Sequence, residues 1–174
     1  MSAEDKLAVA ECVYRYATGV DTRDWAMYRS LFADEVDFDF SSYGPGRPPV
    51  TMTADDWVAG LKPLFGGLAA TQHMMSNPLV ELEGDSAQIT MYVRAHHVFD
   101  PEDPESYYTI GGYYRNRLVR ERGNWKLVRV NLNVTWRLGH PEIMEAARAS
   151  GNLGIARGRM TSAPINKGVT GAGH

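Results

Sequence analysis

Residues 71–100 read TQHMMSNPLVELEGDSAQITMYVRAHHVFD, two strand-like runs joined through Glu83-Gly84-Asp85-Ser86, a glycine-centred hairpin turn. In the second run Ile89, Met91, Val93, Ala95 and Phe99 recur with a period of two, and His97 falls in the same phase. A strand of that period puts the His97 imidazole among core-facing side chains and turns His96 the other way. His73 stands near the start of the first run, so three of the chain's five histidines gather at one end of one hairpin. With a two-residue turn at Gly84-Asp85, strict pairing sets His73 opposite His96, on the face away from His97. Pro78 interrupts that pairing, because it cannot donate to a ladder and sits at edges or bulges. One bulged residue near Ser76-Asn77-Pro78 flips the phase upstream and returns His73 to the face of His97. That bulged register is the one expected.

The rest of the chain suits a single soluble domain. Its 174 residues are enough to bury a core, and 44% hydrophobic with 22% charged residues is ordinary globular composition. A net charge of −3, with no basic cluster interleaved with aromatics, argues against nucleic acid as a partner. The one cysteine, Cys12, allows no internal disulfide framework and suits a reducing cytoplasm. The opening MSAEDKLAVAEC has no signal-peptide pattern, and no apolar run approaches membrane-spanning length. The expected layout is one domain over residues 1–149 and a flexible, Gly-rich tail over residues 150–174.

Ahead of the hairpin, residues 3–19 predict a helix with Ser2 as N-cap, and Leu7, Ala10, Tyr14 and Ala17 make its apolar stripe. The next position of that stripe is Asp21. A carboxylate there is costly unless paired or solvated, so it either meets a partner or caps a second helix over residues 23–32. Residues 35–41 alternate as a half-buried strand, and a Gly/Pro-rich loop over 42–50 follows with Tyr43 at its mouth. Thr53-x-x-Asp56 opens a third helix with Trp57, Leu61, Leu64 and Phe65 on its buried face and a kink at Pro63. After the hairpin come strands over 106–120 and 125–136 and a short helix over 141–149. Gly111-Gly112, inside a strand, signals a bend or a close approach of backbone. On the last strand Asn131 shares a face with Leu127, Arg129, Asn133 and Thr135, and it is a candidate substrate contact. Helices followed by a run of strands make an α+β fold, one strongly curved antiparallel sheet with the three N-terminal helices over its concave side.

Several short segments carry a family likeness: Tyr16-x4-Asp21-Thr22-Arg23-Asp24-Trp25, Asp37-Phe38-x4-Tyr43, Gln72-His73, Arg94-Ala95-His96-His97, Ile110-Gly111-Gly112-Tyr113-Tyr114 and Gly123-Asn124-Trp125-Lys126-Leu127. In this order and spacing, from about Leu7 to Glu145, they resemble the SnoaL-like branch of the NTF2-like superfamily, of the scytalone dehydratase and hexachlorocyclohexane dehydrochlorinase type. The resemblance implies a cone-shaped α+β barrel holding a small, mostly apolar ligand. It implies that Asp21 orients His73 as a general base, that His97 is a second pocket histidine, and that Tyr43 is a pocket tyrosine. Where that type has a tyrosine just before its aspartate, this chain has Val20, and Tyr14 and Tyr16 are the nearest replacements. Its pocket Ser and Asn have no counterpart among Gly111, Gly112 and Tyr113. Relatives are trimers or dimers, so a homo-oligomer is expected.

An Asp–His pair has a plain chemical use. The carboxylate accepts one ring N–H, fixes the tautomer and raises the basicity of the other nitrogen. A base of this kind serves elimination, dehydration or enolisation, with His97 or a tyrosine protonating the leaving group or holding an oxyanion. The expected function is therefore a cofactor-independent dehydratase or hydrogen-halide eliminase acting on a small cyclic substrate. Alternatives are an isomerase or polyketide cyclase, or a non-catalytic ligand carrier or dioxygenase small-subunit-like protein. Adjacent His96 and His97 point oppositely and no H-x-x-x-H or C-x-x-C occurs, so a metal site is not expected. No G-x-S-x-G elbow exists for nucleophilic catalysis.

Overall fold

A computed structural model describes residues 2–44 and 46–153. The order is α1 (Ala3–Thr22), α2 (Trp25–Ser30), β1 (Phe32–Asp39), a 3-10 turn (Ser41–Tyr43), β2 (Val50–Thr53), α3 (Ala54–Gly66), β3 (Ala70–Glu83), β4 (Ser86–Val98), β5 (Tyr107–Glu121), β6 (Asn124–Gly139) and α4 (Ile143–Asn152). Six strands form one curved, unclosed sheet in the order β2-β1-β6-β5-β4-β3. Every neighbouring pair is antiparallel except β1 with β6, which is parallel. The expected α+β architecture is present, with that one parallel pairing added.

Strand β4, between β5 and the edge strand β3, shows the alternation expected of a sheet covered on one face. Ala87, Ile89, Met91, Val93, Ala95 and His97 are buried, while Tyr92 and Arg94 face out. Glu83 pairs with Ser86 across a tight turn in which Gly84 takes φ +56°. The bulge falls where Pro78 demands it: Ser76 pairs with Tyr92 and Leu79 with Thr90, so Asn77 and Pro78 stand against the single residue Met91. Asn77 takes φ 55°, a left-handed conformation that asparagine tolerates better than most residues. Beyond the bulge, Thr71 pairs with His97 and His73 with Ala95.

The helices settle differently from the sequence reading in several respects. The buried face of α1 centres on Val9, Val13, Tyr16 and Val20, flanked by Ala10 and Ala17, whereas Leu7 is 66% exposed and Tyr14 38%. The larger Val and Tyr side chains have taken the core face, so the stripe through Leu7 and Tyr14 is rotated from the one observed. α1 also runs three residues further, to Thr22, which leaves Asp21 inside its last turn. The cap of α2 is Asp24, whose carboxylate accepts the Met27 N–H at 3.0 Å, so Asp21 is released from capping. The expected second helix is shortened because Phe32 joins β1 and buries against Tyr16 and Tyr28. Thr53 does cap α3, accepting the Asp56 N–H at 3.1 Å. At the C-terminal end, α4 passes the expected boundary at 149, and residues 154–174 of the expected tail lie outside those described.

Gly111-Gly112 works by close approach. A Cβ on Gly111 would lie 1.9 Å from the Trp136 ring, and one on Gly112 would lie 2.0 Å from the Asn133 carbonyl oxygen. The β5–β6 register shifts at that point, bending the sheet around the side that the helices cover. Among the described residues no helix is long and apolar enough to cross a membrane.

Candidate active site

The last turn of α1 and the first residues of β3 meet at one edge of the sheet. Arg23, the C-cap of α1, adopts φ 61° and turns the chain sharply there. Its guanidinium then ties the junction together. Nε donates to the Phe65 carbonyl at 2.9 Å, and Nη1 donates to the carbonyls of Val20 (2.7 Å) and Asp21 (3.1 Å) and to Thr71 Oγ1 (2.8 Å). Thr71 Oγ1 in turn donates to Asp21 Oδ1 at 2.8 Å. The Asp21 carboxylate also accepts the His73 backbone N–H on Oδ2 at 2.6 Å and lies 2.7 Å from His73 Nδ1 through Oδ1. Burial works against ionising Asp21, but the bonds from His73 and Thr71 outweigh it and hold the carboxyl below the usual range. An ionised carboxylate only accepts, so His73 Nδ1 carries a hydrogen, and in the neutral imidazole the lone pair is on Nε2.

His97 is fixed by a different partner. Its Nδ1 lies 3.0 Å from the Tyr108 carbonyl oxygen, and the residue is 3% exposed. Burial, with the neighbouring His73 adding to it, pushes its pKa down to about 3. A ring that is neutral at ordinary pH and has no ionised partner is a poor proton donor, which weighs against His97 as the acid. The His73 and His97 rings stand 5.6 Å apart and perpendicular, at 89°, with Phe65 against both.

Both imidazoles line a cavity of about 420 Å³ whose walls include Val20, Phe38, Trp57, Leu61, Phe65 and Leu132. Trp57 and Met52 stand on the wall and leave the space open. The floor is tyrosine-rich. Tyr16 packs 5.0 Å from Tyr28 and 5.6 Å from Tyr114, and Trp57 Nε1 donates to Tyr28 Oη at 3.2 Å. Burial raises the pKa of all three hydroxyls, so each stays protonated. Tyr43 lines the same cavity, and its buried Oη has no hydrogen-bond partner among the described residues. Desolvation lifts its pKa too, which keeps it a donor.

Of the residues singled out in the sequence, Asp21 and His73 pair, and His73, His97, Tyr16 and Tyr43 line one cavity. Tyr14 and Asn131 do not reach it. Tyr14 stands two residues from Tyr16, some 200° round the helix, and is solvent-exposed. Leu132 points into the cavity, so Asn131 faces the other side of β6, where it accepts from Asn133 Nδ2 at 2.8 Å. His96 also faces out, bonded to Thr109 Oγ1 at 2.7 Å. The sequence reading missed Thr71 and Arg23. Thr71 was within reach, since it lies two residues before His73 and shares its face.

A family model for the SnoaL-like domain matches residues 1–131. Among solved structures, the Kfla4162 protein of Kribbella flavida is 30% identical, with a TM-score of 0.77 over 83% of this chain and 99% of that one. A protein described as a candidate scytalone dehydratase from Novosphingobium aromaticivorans is 20% identical, with a TM-score of 0.67 over 78% of this chain and 87% of that one. A hexachlorocyclohexane dehydrochlorinase, LinA type 2, is 18% identical, with a TM-score of 0.64 over 79% and 89%. Among curated proteins none matches the chain. At their identities the last two speak for the fold alone, while the family model covers most of the chain: the protein belongs to the SnoaL-like domain family.

Proposed function

We propose that the protein is a cofactor-independent lyase whose general base is His73, oriented by Asp21. The observation that carries this is His73, in the wall of an apolar cavity, with its Nδ1 2.7 Å from the Asp21 carboxylate behind it. A half-buried carboxylate held by three hydrogen bonds is poised to stabilise the imidazolium that forms when Nε2 takes a proton from carbon. The C–H electrons become the new double bond as the bond to the leaving group breaks. A halide departs with its electron pair, and a hydroxyl departs as water after taking a proton from Tyr43 or back from His73. Fold neighbours named for a dehydratase and a dehydrochlorinase lend support. Isomerisation or cyclisation would use the same base and differ only in where the proton returns. A carrier would need the cavity but not the dyad.

The test is turnover of a panel of small cyclic hydroxyketones and halides by the purified protein and by His73→Ala, with circular dichroism as the folding control. Elimination by the parent and its loss in a folded variant are expected. Near wild-type rates in folded His73→Ala would end the reading, and equal binding without turnover in both would favour the carrier. The same reading includes a cytoplasmic protein and a homo-oligomer, the latter supported by Met74, Tyr92, Trp136 and Leu138, exposed on β3, β4 and β6. Sedimentation as a monomer would remove that part.

A further inference from the structure

We propose that His97 selects the substrate, by offering an unprotonated Nε2 that only a hydroxyl or other hydrogen-bond donor inside the cavity satisfies. The inference rests on the lyase reading for the reaction and names the substrate class within it: a hydroxylated ring (alcohol, phenol or enol) rather than a halide.

The argument begins with the partner of the other nitrogen. The Tyr108 carbonyl, 3.0 Å from His97 Nδ1, is an acceptor and nothing else, so Nδ1 must carry the hydrogen. His97 and Tyr108 are directly paired across β4 and β5, so the strand ladder holds this contact in place. Among the described residues no carboxylate bonds the ring. Its neighbours are Phe65, Tyr108 and the perpendicular His73, and the side chain is almost wholly removed from water. A second proton on such a ring would be a buried charge with no counterion in contact, so the ring is neutral and Nε2 is a lone pair. No bond to Nε2 occurs among the described residues, although the ring lines the cavity.

The cavity is thus asymmetric in hydrogen-bonding sense. His73 and His97 both present accepting nitrogens to it. His73 Nε2 is reserved for the proton on carbon. A ligand with no second donor strips water from His97 Nε2 and returns nothing, and a site built to meet a hydroxyl discriminates against analogues that lack it. An aryl or alkyl chloride and an ether fill the same space without supplying that hydrogen.

The test is binding, independent of turnover. Full-length protein carrying ¹⁵N-histidine is titrated with 4-ethylphenol, its methyl ether and the corresponding aryl chloride, reading affinity and the imidazole nitrogen signals by NMR. We expect free His97 to show the Nδ1–H tautomer and its Nε2 signal to move with the phenol alone. The phenol should bind about tenfold or more tightly than either analogue, and the preference should fall to within about twofold in His97→Leu. An Nε2–H tautomer, equal affinities on the parent, or a preference that survives in His97→Leu overturns the proposal. If His97→Leu does not fold, the tautomer and the ligand-specific shift on the parent decide. Failure of the lyase reading leaves these affinities untouched, so the two can fail separately.

Discussion

His73 and His97 stand on adjacent strands, ring centroids 5.6 Å apart, against the same phenylalanine. What separates them is the atom facing Nδ1. His73 has a carboxylate there and His97 a backbone carbonyl. Both partners fix the same tautomer, but only the carboxylate supplies a charge to balance an imidazolium. One residue type in one cavity wall thus yields a base at one position and a neutral acceptor at the other. The chemistry of a histidine here belongs to its second neighbour.

The largest expected effect comes from breaking the charged side of the comparison. His73→Ala should lower kcat by about 10²–10⁴-fold, the worth of a positioned base. Asp21→Asn keeps the shape, removes the charge and should be severely impaired as well. The double variant should be little worse than His73→Ala, because the two residues act as a unit. Additive losses would mean that Asp21 acts on something other than His73.

Next comes pH, through the uncharged side. Folded His97 titrates at about 3 against an ordinary 6.5. Above pH 6.5 it is neutral folded or unfolded and adds no pH dependence. Between 6.5 and 3 only the unfolded chain takes the proton, so stability falls as pH falls, by up to about 1.4 kcal/mol per pH unit. Asp21, held below its ordinary 3.8, adds a loss of the same sign only in more acidic solution. Denaturant melts from pH 7 to 4 should therefore be flatter for His97→Leu than for the parent. Parallel curves would mean that His97 takes its proton in the folded state.

How far all this was legible in sequence follows from the kind of signal each residue left. Period-two alternation located His97, and Pro78 located the bulge that restores His73 to the inner face, because both are backbone constraints written in residue type. Helix rotation was less legible. The α1 stripe read through Leu7 and Tyr14 competes with one through Val9, Val13, Tyr16 and Val20, and side-chain bulk against the sheet decided between them. Asp21 came out beside His73 because α1 runs on to Thr22 and ends on a left-handed Arg23, which no helix-stop residue announces. β2 was missed between the end of the Gly/Pro loop and the start of α3, since a four-residue edge strand leaves almost no pattern. Tyr43 could be named from its place after β1, but its unpartnered hydroxyl is a fact of packing alone.

A smaller effect sharpens the carboxylate side. Thr71 does not line the cavity and serves as a positioning residue, relaying Arg23 to Asp21. Thr71→Val should reduce kcat about threefold to tenfold with KM little changed, roughly the worth of one hydrogen bond. Thr71→Ser, which keeps the hydroxyl, should restore the rate. A Thr71→Val effect confined to KM, or no rescue by serine, would reduce Thr71 to packing.

The smallest effect concerns the bulge that lets the two histidines share a face at all. Asn77 holds φ 55°, which glycine adopts freely and a β-branched residue resists. Asn77→Gly should therefore change stability by no more than a few tenths of a kcal/mol, with activity unchanged. Asn77→Val should cost about 1–2 kcal/mol if the bulge persists, the penalty of forcing a bulky side chain into a left-handed conformation. Erasing the bulge instead would slip β3 by one residue, turning His73 outward and Asp21 into an unpaired carboxylate. Denaturant midpoints and residual turnover of Asn77→Val separate these outcomes. A modest loss of stability with intact kcat means that Pro78 alone maintains the register. Loss of turnover in a folded variant means that residue 77 sets the face on which the base appears.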